Sequence, residues 1–387
     1  MLLAFTAALA AEPFNDEGVV LQPGAESVFA AGVGAPTVEW DGTQFLMYFE
    51  SPAPEPQIPE GCGGAYQIGR ATSPDGLVWT PETLPSFSFG GAEGTTRYCS
   101  VAQPAVLFDG TLWNLFWSSS REPAAGSTAN QPTGIGWATS SDGLTWNVQA
   151  ETLVPFTGTA MGLASAAAVN GLVYLIWSEY PNLFVITRPA KGGAWSPPML
   201  AIDHELLGDW GSEWALGPSI VCAAESAAPL RMLFGADQAE TFSRSLAWAT
   251  TTDGSTWTVD EAGPLTGGTL EYGALNHWEA LSYDGGGTRL WYSRSDTETG
   301  TKFIGSAWSG AAGGEPQPRL CPNPYAPADT GLPDDSGAAD TADTQGGTDT
   351  NTPGLQPDGC GCNGAAERGA SVVGVAALAL AAMRRRR

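Results

Sequence analysis

Three nine-residue segments share one pattern, and this repeat constrains the fold more than any other feature of the chain. They read ATSPDGLVW at 71–79, ATSSDGLTW at 138–146 and ATTTDGSTW at 249–257. Each has a Ser or Thr, an Asp-Gly pair and a Trp at constant spacing. Repetition of this kind is the signature of a fold assembled from similar units. Asp-Gly is typical of tight turns, because Gly readily adopts the left-handed conformation. We therefore interpret the motif as turn structure and not as a functional site.

The segments around the motif predict antiparallel strands. An apolar hairpin opens each of five units, and four of the hairpins carry an Asp-Gly, Asn-Gly or Gly-Gly turn; the hairpins lie at 36–51, 104–119, 165–180, 218–235 and 279–293. A third strand follows each hairpin, and a short fourth strand follows the motif. Radial packing of such sheets predicts an all-β fold, a five-bladed β-propeller of four-stranded antiparallel blades.

The fifth unit has no fourth strand of its own. EGVVLQPG at 17–24 resembles ETLVPFTG at 151–158, which includes a predicted fourth strand. We therefore expect residues near 17–23 to complete the fifth blade and close the ring.

Composition divides the chain into four parts. Residues 1–10, MLLAFTAALA, have the short apolar run and small-residue end of a secretory signal peptide, although a frayed apolar terminus would look similar. The propeller is predicted over 11–326. Residues 327–358 are acidic and contain no aromatic side chain, so they predict a disordered linker. Residues 359–387 contain GCGC, an apolar run and RRRR.

The order of this last part resembles the C-terminal sorting tails of myxobacterial-type surface proteins. The resemblance implies retention in the membrane by the Arg cluster, processing by sorting machinery near Cys360 or Cys362, and display at the cell surface. A plain C-terminal membrane anchor is the alternative, and it would also place the propeller outside the cytoplasm. We predict membrane contact through this tail only.

The net charge limits the classes of partner that we expect, and the number of cysteines bears on the compartment in which the protein acts. The formal net charge of −25 repels phosphate backbones, so we expect no nucleic-acid partner and an easier fit to a neutral or cationic ligand. An exported protein with six cysteines is expected to use some as disulfides. Cys62 and Cys99 fall on one predicted face, and Cys222 and Cys321 fall on the other, which predicts these two bridges.

The predicted functional face is the one where the first strands of the blades begin. Counting from the hairpins places Pro36, Pro104, Ser165, Pro218 and Glu279 at equivalent strand starts. Glu279 is the one carboxylate there, and it adjoins His277 and Trp278. We interpret the cluster as a candidate site; a hydrogen-bonded Glu that helps to close the ring is the alternative. The further candidates on this face are Glu50, Glu179, Trp210, Glu213, Trp214 and Arg294.

The hairpin, third-strand and fourth-strand pattern resembles the five-bladed propellers of glycoside hydrolase families 43 and 32. The resemblance implies cleavage of glycosidic bonds by carboxylates near the axis, beside the Pro position of the early blades. GVGAPTV, SVAQPAV and GLASAAA contain no acid, so that set does not transfer. Glu213 and Glu279 are instead the candidate catalytic pair, since glycoside cleavage uses two carboxyl groups, about 5–5.5 Å apart for retention or about 6.5–9.5 Å apart for inversion.

Three functions remain open at this stage: glycoside hydrolysis, glycan binding without catalysis, and a surface interaction module that keeps the fold alone. A sialidase-like hydrolase ranks last, because its turn motif has one more residue between Asp and Gly. His204 and His277 are the only histidines, and no spacing supports a metal site or a Ser-His-Asp triad. We predict no metal and no cofactor.

Overall fold

The structure is a computed structural model that describes 12–24, 28–58, 60, 62, 65–92, 95–119, 134–155, 160–223, 230–238 and 244–321. The signal segment 1–10, the linker 327–358 and the tail with Cys360 and Cys362 lie outside the described residues. Across the part of the chain that is described, no helix is long and apolar enough to span a membrane.

The predicted five-bladed propeller is confirmed, with five sheets that each contain four antiparallel strands. Blade 1 contains β2 (Gly34–Trp40), β3 (Phe45–Pro52), β4 (Tyr66–Ser73) and β5 (Thr80–Pro81). Blade 2 contains β6 (Ala102–Phe108), β7 (Trp113–Ser119), β8 (Gly134–Ser140) and β9 (Asn147–Pro155). Blade 3 contains β10 (Ala160–Val169), β11 (Leu172–Glu179), β12 (Asn182–Pro189) and β13 (Met199–Ile202).

Blade 4 contains β14 (Trp214–Cys222), β15 (Leu230–Asp237), β16 (Arg244–Thr251) and β17 (Thr258–Val259). Blade 5 contains β18 (His277–Ser282), β19 (Thr288–Ser295), β20 (Lys302–Ser309) and the N-terminal β1 (Asn15–Leu21). Short 3-10 helices cover Glu55–Gln57, His204–Gly211 and Tyr272–Ala274. Inner strands are buried along most of their length because both of their faces pack within the ring, whereas outer strands such as β9 alternate.

The N-terminal strand closes the ring as expected, two residues earlier than the sequence pattern suggested. β1 pairs antiparallel with β20, with Asn15 opposite Trp308 and Leu21 opposite Ile304. The Arg289 guanidinium of β19 also pairs with the Glu17 carboxylate of β1 at 3.2 Å. This ion pair links β1 to β19 across the intervening strand β20. The first and last blade-forming segments of the propeller are therefore held in one sheet.

The repeated motif forms turns on the face opposite the inner-strand starts, as predicted. In all three copies a hydroxyl accepts a hydrogen bond from the turn glycine amide; the donors are Gly76, Gly143 and Gly254. Asp142 Oδ1 accepts from the amides of Leu144 and Thr145. Backbone hydrogen bonds, first from Thr145 and then from Leu144, lower the Asp142 pKa to about 2. We call this side the turn face and the other the funnel face.

Both predicted disulfides are present. Cys62 bonds to Cys99 beside blades 1 and 2, and Cys222 at the end of β14 bonds to Cys321. Cys321 belongs to β21 (Leu320–Cys321), a two-residue strand that pairs parallel with β10 at Ala168 and Val169. The segment 316–321 therefore crosses from blade 5, where Pro316 bridges to Tyr283, to blade 3.

Candidate functional site

A β-bulge interrupts the innermost strand of four blades at the funnel face. The register shifts lie between Gly34 and Thr37 and at the matching positions of β6, β10 and β14. One residue of each bulge has a positive φ; these are Ala35, Gln103, Leu163 and Gly217. Three of them are not Gly, and side chains rarely adopt this conformation without compensation. Such strain concentrates at functional sites, so it singles out this end of the axis.

The bulges correct the strand-start alignment made from the sequence. By register, Thr37, Ala105 and Ser219 lie level with Ser165 and Glu279, one residue after the three prolines. Cross-blade hydrogen bonds support this alignment, because Ser165 Oγ accepts from the Ile220 amide and Ser219 Oγ accepts from the Ala280 amide. Blade 5 has no bulge, so His277 is level with Gly34.

A small cavity lies at the axis on the funnel face. It has a volume of about 20 Å³ and is lined by residues of all five blades: Ala35, Pro36, Gln103, Pro104, Leu163, Ala164, Gly217, Pro218, His277, Trp278 and Glu279. This space holds about one water molecule. The cavity itself is therefore too small to hold an organic ligand such as a sugar ring. Glu279 supplies the one carboxyl group among these lining residues.

His277 and Gln103 form the polar part of the cavity wall. The Gln103 Nε2 and His277 Nε2 atoms are 3.1 Å apart, and Ser293 Oγ lies 3.4 Å from His277 Nδ1. Burial lowers the His277 pKa to about 4, against the opposing effect of Glu50. The imidazole is therefore neutral near pH 7. Because the amide of Gln103 donates, we assign His277 Nε2 as the acceptor and Nδ1 as the protonated nitrogen.

Glu50 and Lys302 support this wall from behind. The Lys302 Nζ atom lies 2.9 Å from Glu50 Oε1, and the Gln103 backbone amide donates to Glu50 Oε2 at 3.2 Å. Burial alone would raise the Glu50 pKa, but the Lys302 charge, His277 and the hydrogen bonds from Lys302 and Gln103 together outweigh burial and hold that pKa below its ordinary value. The Glu50 side chain is only 4% exposed, so its charge is committed to this ion pair.

Glu279 is bound from below by Arg319, which reaches the axis from the segment 316–321. The Arg319 Nη2 atom lies 2.6 Å from Glu279 Oε1, and that oxygen also accepts from Ser165 and Ser219. Arg319 is fully buried. Its backbone amide donates to Glu39 Oε1 at 2.9 Å. The axis thus carries a carboxyl, a guanidinium and a second carboxyl in series, which we call the axial triad.

Burial dominates the protonation of the axial triad. It raises the pKa of Glu279 to about 7, against the lowering effect of Arg319 and the two serines. Burial likewise raises the Glu39 pKa to about 7. One cation cannot neutralise two carboxylates in so dry a place, so a proton is retained there near neutral pH. Glu279 is therefore a group that can hold a proton beside the cavity.

Glu213 lies at the rim and away from the cavity wall. It precedes β14, is half-buried, and accepts a hydrogen bond from the hydroxyl of the exposed Tyr180 at 3.4 Å. The rings of Tyr180 and Trp214 meet edge to face at 5.2 Å, and Trp214 Nε1 donates to Asp237 Oδ2. Tyr180, Glu213 and Trp214 form what we call the rim patch. The structure places Glu213 in this patch, while Glu279 lies on the floor.

The other predicted site residues are engaged in packing or ion pairs. Trp210 packs against Phe234 with ring centroids 6.0 Å apart, and Glu179 accepts from Trp177 Nε1. Arg294 pairs with Glu271 at 2.6 Å. Trp278 is 4% exposed, and its ring fills the space that a Cβ at Gly217 or Gly235 would need. Little of that ring is available to a ligand.

Sequence reasoning missed Gln103, Lys302 and Arg319 as residues of the site. Gln103 stands directly before Pro104 in SVAQPAV, and its amide is not one of the carboxyl groups that glycoside cleavage predicts at this position. Arg319 lies two residues before Cys321, whose predicted bridge already tied this segment to blade 4. No three His, Cys, Asp or Glu side chains are grouped as metal ligands within the described ranges.

Comparison with known proteins supports the fold. The sequence matches no protein-family model, and a search of curated proteins finds no match. Solved structures do align over most of the chain. A glycosyl hydrolase from Bacteroides ovatus has a TM-score of 0.55 at 14% identity and covers 80% of this chain and 97% of its own.

Two further neighbours come from named hydrolase families. The catalytic domain of the Coprinopsis cinerea GH62 α-L-arabinofuranosidase has a TM-score of 0.54 at 12% identity, and it covers 78% of this chain and 98% of its own. A GH130 structure, from a family of mannoside phosphorylases that contains hydrolases of β-1,2 mannosidic linkages in Candida mannan, has a TM-score of 0.56 at 12% identity, with coverages of 82% and 98%. The chain is thus a five-bladed β-propeller whose structural neighbours are glycoside hydrolases.

Proposed function

We propose that the protein binds carbohydrate at the mouth of the funnel face. The observation that carries this proposal is the composition of the cavity wall, in which strained bulges present Gln103, and blade 5 presents His277, at the floor below the rim patch. The Gln103 amide nitrogen carries a second hydrogen besides the one that it donates to His277, so it can donate to a hydroxyl. The exposed Tyr180 and half-buried Trp214 offer ring area. The similarity in fold to glycoside hydrolases favours carbohydrate as the class of ligand.

Binding without catalysis fits the carboxyl groups better than hydrolysis does. Cleavage needs two carboxyls that flank one bond. Glu279 is the only carboxyl among the residues that line the cavity, and Arg319 holds it. Glu213 is bonded to Tyr180 at the rim, and Glu50 is bonded to Lys302 behind the wall.

Replacing Trp214 with Leu is expected to weaken glycan binding about tenfold, since an aromatic contact of this kind contributes roughly 1–1.5 kcal/mol. A glycan array identifies a ligand, and calorimetry then compares the variant with the wild type. Trp40→Leu is the matched control, because Trp40 is also a half-buried Trp but lies on the turn face. A Trp214→Leu variant that is as stable as the wild type and binds the glycan with unchanged affinity would contradict the rim location.

Hydrolysis is the second candidate, and the raised pKa of Glu279 favours it. A carboxyl with a pKa of about 7 keeps its proton in part of the molecules at neutral pH, which is a property of a general acid. On this candidate, Glu279→Gln abolishes turnover of chromogenic furanosides or pyranosides while glycan affinity is retained. If the wild type turns over no glycoside in that screen, binding alone stands. Turnover that the Gln variant loses would replace the binding proposal.

We further propose that the propeller acts outside the cytoplasm, displayed through the tail or released after its processing. Two disulfides between described residues favour an oxidising compartment. Protease treatment of intact cells, followed by mass spectrometry of the C-terminus, tests this proposal. Retention of residues 359–387 in a cytoplasmic, protease-protected protein would contradict it.

A further inference from the structure

The turn face carries a far larger cleft than the funnel floor does. It lies between blades 1 and 2 and has a volume of about 670 Å³, within the usual range of small-molecule sites. We call it the blade 1–2 cleft; its lining residues include Trp40, Asp41, Phe108, Trp113 and Asp142. Nothing in the proposed glycan site uses this cleft, since the two lie at opposite ends of the axis.

Aromatic side chains from both blades form the walls. Trp40 ends β2, Phe108 ends β6, and Trp113 begins β7 directly opposite Phe108. The Phe108 and Trp113 rings are tilted at 45° with centroids 5.3 Å apart. Trp40 and Phe108 are half-buried, so part of each ring remains available to a ligand. Ring faces carry negative electrostatic potential and attract cations.

Carboxylates surround these rings. Asp41 Oδ1 accepts from the Thr43 and Gln44 amides, and Asp142 Oδ1 accepts from its own turn amides. Burial would raise the Asp41 pKa, but its hydrogen bonds, first that from the Thr43 side chain, outweigh burial and hold the pKa below its ordinary value. Both Asp residues are therefore ionised at neutral pH.

The inner wall adds the buried carboxyl group of Glu39, one oxygen of which accepts no hydrogen bond from the described residues although Arg319 Nε lies 4.0 Å from it. Glu39 is 1% exposed, lines the cleft, and its Oε2 has no hydrogen-bond partner among the described residues. The one guanidinium in the lining, that of Arg70, is already paired with Glu82. The cleft therefore combines aromatic faces with the negative charges of Asp41 and Asp142, which no free cation in the lining neutralises.

We propose that the blade 1–2 cleft binds a small organic cation, a primary or quaternary ammonium group, between its aromatic walls and its carboxylates. The net charge of −25 adds to the attraction by concentrating cations around the protein. A neutral sugar would use the rings but would gain nothing from the charges. The test therefore compares a charged ligand with an uncharged ligand of the same shape.

Choline is the probe, and 3,3-dimethyl-1-butanol, its uncharged carbon isostere, is the matched control. Titration of the full chain by NMR or calorimetry at low salt is expected to show choline binding at least tenfold more tightly than the isostere, with affinity that falls as NaCl is added. Equal affinity for the two probes, or no choline binding at millimolar concentration, overturns the proposal. Displacement of choline by a neutral glycan assigns the cleft to carbohydrate and also overturns it.

Variants locate the site. Trp40→Leu is expected to weaken choline binding about fivefold or more, while Trp214→Leu leaves it unchanged. Asp142→Asn is compared with Asp253→Asn, because both Asp residues make the same turn hydrogen bonds but only Asp142 lines the cleft. Choline binding should weaken several-fold in the Asp142 variant alone. Equal loss in both variants would show an effect of the turn and refute the location.

The result of the choline test does not depend on whether the funnel face binds a glycan. Trp214→Leu and Trp40→Leu serve as reciprocal controls, since each removes one Trp from one face. Loss of choline binding with intact glycan binding supports the cleft, whatever the funnel face binds.

Discussion

Replacing Arg319 with Met is expected to lower the free energy of unfolding by about 3–5 kcal/mol, the usual cost of leaving buried charge without its partner. Arg319 is the cation of the axial triad. Its loss leaves the buried Glu39 and Glu279 carboxyl groups without a cation, and their negative charges then repel each other. Urea denaturation of the full chain followed by tryptophan fluorescence measures the change.

The same variant should change the pH dependence of stability. Both triad carboxyls have an ordinary pKa of 4.5 and a folded-state pKa of about 7, so between these values the folded protein binds more protons than the unfolded chain. Stability from these groups is therefore lost as pH rises through that window. Without the guanidinium the folded pKa values rise further, and the deficit of Arg319→Met should grow from pH 5 to pH 8.

Glu39→Gln/Glu279→Gln/Arg319→Met is the control, because it removes the charges together. Replacing a buried ion cluster with uncharged residues often changes the free energy of unfolding very little. The triple variant should therefore recover much of the lost stability, and its stability should depend less on pH. An Arg319→Met protein as stable as the wild type at pH 8 would contradict the triad as a charged unit.

Removal of the Cys222–Cys321 disulfide by a double Ala substitution is expected to cost about 4 kcal/mol, since the bridge closes a loop of 99 residues. The bridge also holds β21 beside β10, where the Ala168 amide donates to the Arg319 carbonyl. Thermal and urea unfolding measure the loss. Hydrogen exchange at Ala168 should accelerate as well, because the segment 316–321 loses its covalent attachment to blade 4.

Cys62→Ala/Cys99→Ala is the matched control for this variant. It removes a disulfide with a sequence separation of 37 on the funnel face. It should lower stability too, but it should leave exchange at Ala168 unchanged. Equal acceleration in both variants would mean that exchange there reports global unfolding, and would contradict a specific role for Cys321 in holding the axial segment.

The blades were predictable because their signals are local. Asp-Gly turns and alternating apolar strands recur within each unit, and the similarity of 17–24 to 151–158 was enough to place β1 in blade 5. Both disulfides followed from the faces on which the cysteines fall. Each of these inferences needs only neighbouring residues and the general geometry of a propeller.

The site was predictable only in part, because it depends on tertiary register and path. Counting residues back from each hairpin turn takes no account of the bulges or of unequal turn lengths. Four residues separate Trp40 from Phe45, but only two separate Val169 from Leu172. The prolines were therefore aligned with Glu279 in place of Thr37, Ala105 and Ser219. The position of Arg319 has no local signal, since its segment reaches the axis only through tertiary contacts with the blades, among them the hydrogen bonds of Arg319 to Glu39 and Val38 of blade 1.

The crossing of the segment 316–321 has a mechanical consequence. Tension on the chain beyond Cys321 passes through a covalent bond into Cys222, at the end of the innermost strand of blade 4, and through β21 into blade 3. Blade 5, which is closed only by hydrogen bonds and side-chain contacts to β1, is bypassed by that load. A propeller pulled from its C-terminal side is therefore loaded near its axis and away from the seam where its ring is joined.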